Sequence, residues 1–269
     1  MPYSLTGRNV LITGGSRGLG AAVAERFAAE GSNVAINYVS SEDRATALAT
    51  QLKQDHNIKA ITLQGDVSSR VNCENLVKQT IEQLGGLDII ISNAGWTRVS
   101  NFADLDALTD DEWDRCWTTN VKANLHLFRA AKPTLDANPD GGAFIITSST
   151  AGIVPGGSSM AYSVSKAAGE YRNRERLLSR NAHTVQGLHL MKALATTQGS
   201  KIRVNAVLPG LILTEWGQRF PKEVIQGYEQ KVPLKHVPGI DDCADMFISI
   251  SKNNSMTGQQ IQVDSGYAI

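Results

Sequence analysis

Short runs rich in Val and Ile alternate with longer amphipathic stretches from one end of this chain to the other. The apolar runs fall at 9–13, 33–38, 60–64, 87–92, 142–148, 201–208 and 259–264. Near-continuous apolar character, rather than strict alternation, marks strands buried on both faces, and that occurs where helices cover both sides of a parallel sheet. Helical patterning lies between the runs, at 20–30, 43–55, 70–84, 110–133 and from 162 onward. The order strand, helix, strand therefore predicts an α/β fold, a doubly wound parallel sheet of seven strands with helices on both faces. No internal repeat, low-complexity tract or linker interrupts it, so residues 1–269 read as one domain.

The first strand-to-helix connection reads Thr13-Gly14-Gly15-Ser16-Arg17-Gly18-Leu19-Gly20. Glycines are required where backbone turns sharply and lies directly against a pyrophosphate. The helix that follows offers unpaired N–H donors and the positive end of its dipole to the phosphates. Gly14, Ser16, Arg17, Gly18, Leu19 and Gly20 are therefore candidate cofactor contacts.

The spacing here is T-G-x-x-x-G-x-G rather than the more general G-x-G-x-x-G. It resembles that of the short-chain dehydrogenase/reductase family, and the resemblance continues in order through the chain. Asp66-Val67 ends the third strand, Asn93-Ala94-Gly95 the fourth, and Asn120 falls within the next helix. Ser149 follows the fifth strand, with Tyr162-Ser163-Val164-Ser165-Lys166 thirteen residues later. Pro209-Gly210-Leu211-Ile212-Leu213-Thr214 ends the sixth strand and Val263-Asp264-Ser265-Gly266 closes the fold. The resemblance implies that Asp66 and Val67 hold the adenine, that Asn93, Ala94 and Gly95 lie beside the adenosine ribose, and that Pro209, Gly210, Ile212 and Thr214 lie at the nicotinamide end. It implies a basic cofactor position at Arg129, which a helix-surface charge would explain equally well. It also points to members similar to 3-oxoacyl reductases.

Tyr162 and Lys166 are four residues apart and share one helix face. A free tyrosine titrates near 10, too high for efficient proton transfer at neutral pH, and a neighbouring ammonium lowers it. Tyr162 then serves as the acid that protonates a carbonyl oxygen, or as the base in reverse. By resemblance Lys166 also holds the nicotinamide ribose, Ser149 hydrogen-bonds the substrate oxygen and Asn120 anchors a water of the proton relay. Ser148 competes with Ser149; the spacing to Tyr162 and the glycine at 152 select Ser149.

NAD-type sites carry an acidic residue at the end of the second strand for the ribose 2′-hydroxyl. Asn37 occupies that place here, and Arg17 supplies a cation for a 2′-phosphate. The reading is NADP(H) in preference to NAD(H). The 26 basic and 26 acidic residues balance, which gives no field for nucleic acid or an anionic membrane. Cys73, Cys116 and Cys243 are few and scattered, so neither a disulfide framework nor a metal site is expected, and the cytoplasm is the expected location. The expected activity is NADP(H)-dependent interconversion of a small-molecule carbonyl and an alcohol. Trp216, Phe220 and Tyr228 lie where a substrate cleft is expected; they suit an apolar substrate or serve as packing.

One segment departs from the family's pattern. Residues 170–187 hold four of the fourteen arginines and lack a sustained apolar face. Removing them restores an amphipathic helix and shortens the separation of Tyr162 from Pro209 from 47 residues to 29. A loop that tunes access, an insertion that disables catalysis and leaves a non-catalytic NADP(H)-binding protein, and an intron translated in frame all fit; the last is favoured. In relatives this helix builds a homodimer, usually within a homotetramer, and arginines inserted there would bring unpaired charge into the interface. A version lacking 170–187 is expected to assemble into a larger and more heat-stable oligomer than the 269-residue chain. Equal mass by light scattering and equal melting temperature would refute this.

Overall fold

The computed structural model describes residues 2–167 and 189–269, so the 170–187 segment lies outside the described residues. Seven strands are present: β1 (Asn9–Ile12), β2 (Asn33–Tyr38), β3 (Ala60–Gln64), β4 (Ile89–Ser92), β5 (Gly142–Thr147), β6 (Ile202–Pro209) and β7 (Gln260–Val263). They form one parallel sheet in the order β3-β2-β1-β4-β5-β6-β7. The winding reverses between β1 and β4, and the carboxyl ends of these two strands open a crevice there.

The first three helices are α1 (Gly18–Ala29), α2 (Glu42–His56) and α3 (Arg70–Leu84), followed by α4 (Asp110–Trp117) and α5 (Ala123–Ala137). Beyond them lie α6 (Met160–Ala167), α7 (His189–Gln198), α8 (Lys222–Lys231) and α9 (Ile240–Lys252). One core joins α1, α2 and α9 to the sheet through Phe27, Leu48, Leu52 and Phe247. The other joins α3, α5 and α7 through Leu76, Phe128 and Met191. Both sheet faces are thus covered, which is why the strands read as unbroken apolar runs.

Two boundaries differ from the sequence reading. The helix expected over 110–133 is divided: a π turn at Thr118–Lys122 separates α4 from α5. Such turns carry one extra residue and redirect the side chains they hold, here Asn120. The helix also runs past Pro133 to Ala137, because buried Ala131 and Leu135 on either side of the proline keep packing against the sheet. Glu42 and Asp43 lie in the first turn of α2, where their charge favours the helix dipole.

Phe144 of β5 and Phe128 of α5 meet edge to face, 5.4 Å between ring centroids, and both are buried. Phe144→Ala is expected to lose about 3–5 kcal/mol of stability in urea denaturation. A loss below about 1 kcal/mol would mean that this core collapses around the gap.

Candidate active site

The crevice at the β1–β4 reversal is built around the glycine turn. Gly14 and Gly18 take φ of +60° and +56°, in the region that side chains disfavour. A Cβ on Gly20 would lie 2.4 Å from the Gly14 oxygen and 2.6 Å from Asn93 Nδ2, so no side chain fits between turn and strand end. Helix α1 begins with no side-chain cap and no acidic residue in its first turn. These features fit a dinucleotide: bare backbone for close approach, and a helix N-terminus open to an anion.

The turn is held by its neighbours. Thr13 Oγ1 accepts from the amides of Asn93 (2.9 Å) and Ala94 (3.0 Å), and Asn93 Nδ2 donates to the Thr13 oxygen at 3.0 Å. Asn37 Oδ1 accepts from the Gly14 amide at 3.1 Å, while its Nδ2 donates to the Gly65 oxygen at 2.9 Å. At 1% exposure Asn37 braces the cradle from below, with its amide used inside the protein. Asp66 Oδ1 accepts from the Ser68 amide at 2.9 Å, which fixes the carboxylate at the end of β3 beside buried Val67. Arg17 is exposed and pairs with Glu215 at 3.2 Å.

Asn120, Ser149, Tyr162 and Lys166 come together beyond the turn. Asn120 Oδ1 accepts from the Trp96 amide (2.8 Å), and its Nδ2 donates to the Trp96 oxygen (3.0 Å) and to Ser165 Oγ (2.9 Å). Its side chain thereby locks the strand that carries Gly95 to the helix that carries Tyr162. Ser149 acts on the Tyr162 hydroxyl, whereas buried Ser148 donates to the Lys166 oxygen at 3.4 Å. The two serines thus point apart, and the one that meets the tyrosine is Ser149. A Cβ on Gly152 would stand 2.5 Å from the Lys166 oxygen, so this glycine lets the serine loop and α6 close on each other.

Lys166 Nζ lies 5.5 Å from the Tyr162 ring centroid and donates to the Thr147 oxygen at 2.8 Å. Burial pushes the lysine down to about 8. Burial also pushes Tyr162 up to about 12, against the Ser149 side chain, which lowers it. The depression expected for Tyr162 beside an ammonium is therefore not present here. Desolvation of the phenolate dominates, and burial favours the neutral form of the lysine as well. Behind Lys166 lies a cavity of about 20 Å³ lined by Asn120, Asn124, Thr147, Ser148 and Ser165 among others. That is room for a single water among polar partners.

At the remaining edge, the Thr214 methyl would touch a Cβ on Gly18 at 3.3 Å, which places the chain after β6 over the glycine turn. Pro209 ends β6 in the buried core, and Ile212 packs against the α1 face. Gly210 is boxed in by Tyr228, whose hydroxyl donates to the Asp264 oxygen at 2.7 Å and whose ring stacks on Tyr267. Tyr228 is packing; Trp216 meets the Tyr162 ring edge-on at 5.7 Å and belongs to the cleft. Arg129 is not brought to this group: it is exposed on α5, where with Arg70 it acts on His126. Sequence reasoning passed over Trp96, although its place directly after Gly95 marked it, and it passed over Arg44, Asn124 and Glu215, which have no distinguishing spacing.

The chain is similar to known proteins over nearly its whole length. A family model described as short chain dehydrogenase matches residues 8–175, and one described as enoyl-(acyl carrier protein) reductase matches residues 185–268. The stretch between the two matches falls inside 170–187. A Streptomyces violaceoruber protein named as a ketoacyl reductase of the granaticin polyketide synthase is 35% identical over 258 residues, 95% of this chain and 94% of that protein. The Staphylococcus aureus 3-oxoacyl-(acyl-carrier-protein) reductase is 30% identical over 262 residues, 96% of this chain and 97% of that one. The structure of a short chain dehydrogenase from Burkholderia cenocepacia in complex with NADP aligns at a TM-score of 0.84 and 30% identity, over 99% of this chain and 100% of the other. A blue fluorescent protein from a metagenomic library, in complex with NADPH, aligns at 0.84 and 29% identity with the same coverage.

The buried lysine gives the site a pH signature. The unfolded chain keeps the Lys166 proton up to its ordinary 10.5, whereas the folded chain releases it near 8. Between those values the unfolded state holds more protons, so this group favours folding increasingly as pH rises. Relative to Lys166→Met, the wild type is expected to gain stability from pH 8 to 10 in parallel urea titrations. A constant difference would show that the amine is solvated.

Proposed function

We propose that this chain, which belongs to the short-chain dehydrogenase family, is an NADP(H)-dependent oxidoreductase that interconverts a carbonyl and an alcohol, with Tyr162 as its proton donor and acceptor. The observation that carries the reading is the placement of Ser149 and of the Lys166 amine against one tyrosine, Tyr162. The bound cofactor supplies or takes up the hydride. Ser149 and Tyr162 donate hydrogen bonds to the substrate oxygen, and Tyr162 passes its proton to that oxygen as negative charge grows there. Lys166 has three donors and spends one on Thr147, which leaves two for the nicotinamide ribose. Asn120 ties Trp96 to Ser165 and, with Lys166, lines a cavity that has room for one water.

The adenosine end supports NADP(H). No carboxylate stands at Asn37, and Arg17 lies in the glycine turn. Two structurally similar proteins carry NADP or NADPH. Relatives named as ketoacyl reductases support a carbonyl substrate, and Trp96, Trp216 and Tyr162 give the cleft aromatic walls. The chain acts as one domain and as a homo-oligomer.

Tyr162→Phe is expected to lower turnover of a carbonyl panel about 10²–10⁴-fold while NADPH binding is kept. Wild-type kcat/KM is expected to favour NADPH over NADH. Full activity in the variant would refute the mechanism, and a preference for NADH would refute the cofactor assignment. Tight NADPH binding with no turnover on any carbonyl would identify a binding protein instead.

A further inference from the structure

Glu215 bridges two arginines from separate parts of the cofactor crevice. Its Oε2 accepts from Arg17 Nη1 at 3.2 Å, and its Oε1 pairs with Arg44 Nη1. Arg17 lies in the glycine turn at the start of α1. Arg44 is the third residue of α2, the helix entered from the end of β2. The two guanidinium groups therefore converge on one carboxylate, one from the glycine turn and one from the helix that follows the second strand, whose end is where an adenosine ribose carries its 2′ substituent. The carboxylate between them comes from the chain after β6, next to Thr214, which lies over Gly18. Arg44 and Arg17 together hold Glu215 below the usual carboxylate range. The three side chains are about half exposed, so the bridge is screened and weak enough to be displaced.

We propose that Arg44 is the second cation for the cofactor's 2′-phosphate and that Glu215 is an internal anion that competes with that phosphate for Arg17 and Arg44. A phosphate dianion offers three oxygens to two forked donors where the carboxylate offers two, so it displaces Glu215 at modest cost. A 2′-hydroxyl carries no charge and leaves the bridge in place. Glu215 thus works against every anion at this position and lowers affinity for the phosphorylated cofactor without preventing it. The proposal rests on the NADP(H) reading.

The test is calorimetric titration of the full-length protein with 2′,5′-ADP and with 5′-AMP, which differ by the phosphate alone. The wild type is expected to bind 2′,5′-ADP more tightly. Glu215→Gln is expected to tighten 2′,5′-ADP about three- to tenfold at low salt, less at high salt, with 5′-AMP unchanged. Arg44→Ala is expected to weaken 2′,5′-ADP alone; circular dichroism checks that both exposed-site variants are folded. If the wild type prefers 2′,5′-ADP but Glu215→Gln binds it equally or more weakly, the competition is wrong and the cofactor reading stands. An unchanged affinity in Arg44→Ala removes Arg44 from the site. Equal or undetectable binding of both probes by the wild type overturns the cofactor reading, and this proposal with it.

Discussion

The Thr13 hydroxyl accepts from two successive backbone amides, Asn93 and Ala94, and so ties the end of β1 to the end of β4. These are the two strands between which the winding reverses. A buried hydroxyl that accepts two amide donors leaves neither of them orphaned where the sheet ladder stops. The bond also fixes how wide the crevice opens. Asn93 returns a hydrogen bond to the Thr13 oxygen, and Asn37 reaches under the turn from β2 to Gly14. Three strands therefore position one loop, through hydrogen bonds that need no ligand. Preorganisation of this kind spares binding the entropy of ordering backbone.

A second set of bonds starts where the first ends. Gly95 leads to Trp96, whose backbone amide and oxygen are both held by Asn120. Asn120 reaches Ser165 across to α6, and Ser165 donates to the Tyr162 oxygen at 2.8 Å. The path from glycine turn to tyrosine is thus a chain of hydrogen bonds with few soft joints. The π turn at Thr118–Lys122 makes it possible by turning Asn120 toward the strand end.

Most of the fold was legible because burial on both faces writes itself into the strands as unbroken apolar runs. The glycine turn and the pairing of Tyr162 with Lys166 were legible because spacing alone determines which groups share a face. The preference for Ser149 over Ser148 rested on spacing; in the fold Ser148 bonds the backbone of α6 and Ser149 faces its tyrosine. What spacing could not convey was the result of competing fields. Desolvation raises Tyr162 although a lysine stands beside it, and that balance exists only after the chain folds. Likewise, Glu215 is far in sequence from Arg17 and Arg44, and nothing local marks it as their partner. Pro133 misled for the opposite reason, since a local rule yielded to the packing around it.

The close approach at Gly152 bears on how this sequence is free to vary. Exchanging glycine for alanine commonly stabilises a protein by restricting the unfolded chain, where the native conformation permits it. At Gly152 the added methyl would meet the carbonyl of Lys166 at 2.5 Å, a backbone atom that cannot step aside. Relief would require α6 to slide, and with α6 go both the tyrosine and the lysine. A substitution that looks thermally beneficial on paper would there disturb the placement of Tyr162 and Lys166. Mutational drift and engineering alike meet a wall at a residue that has no side chain.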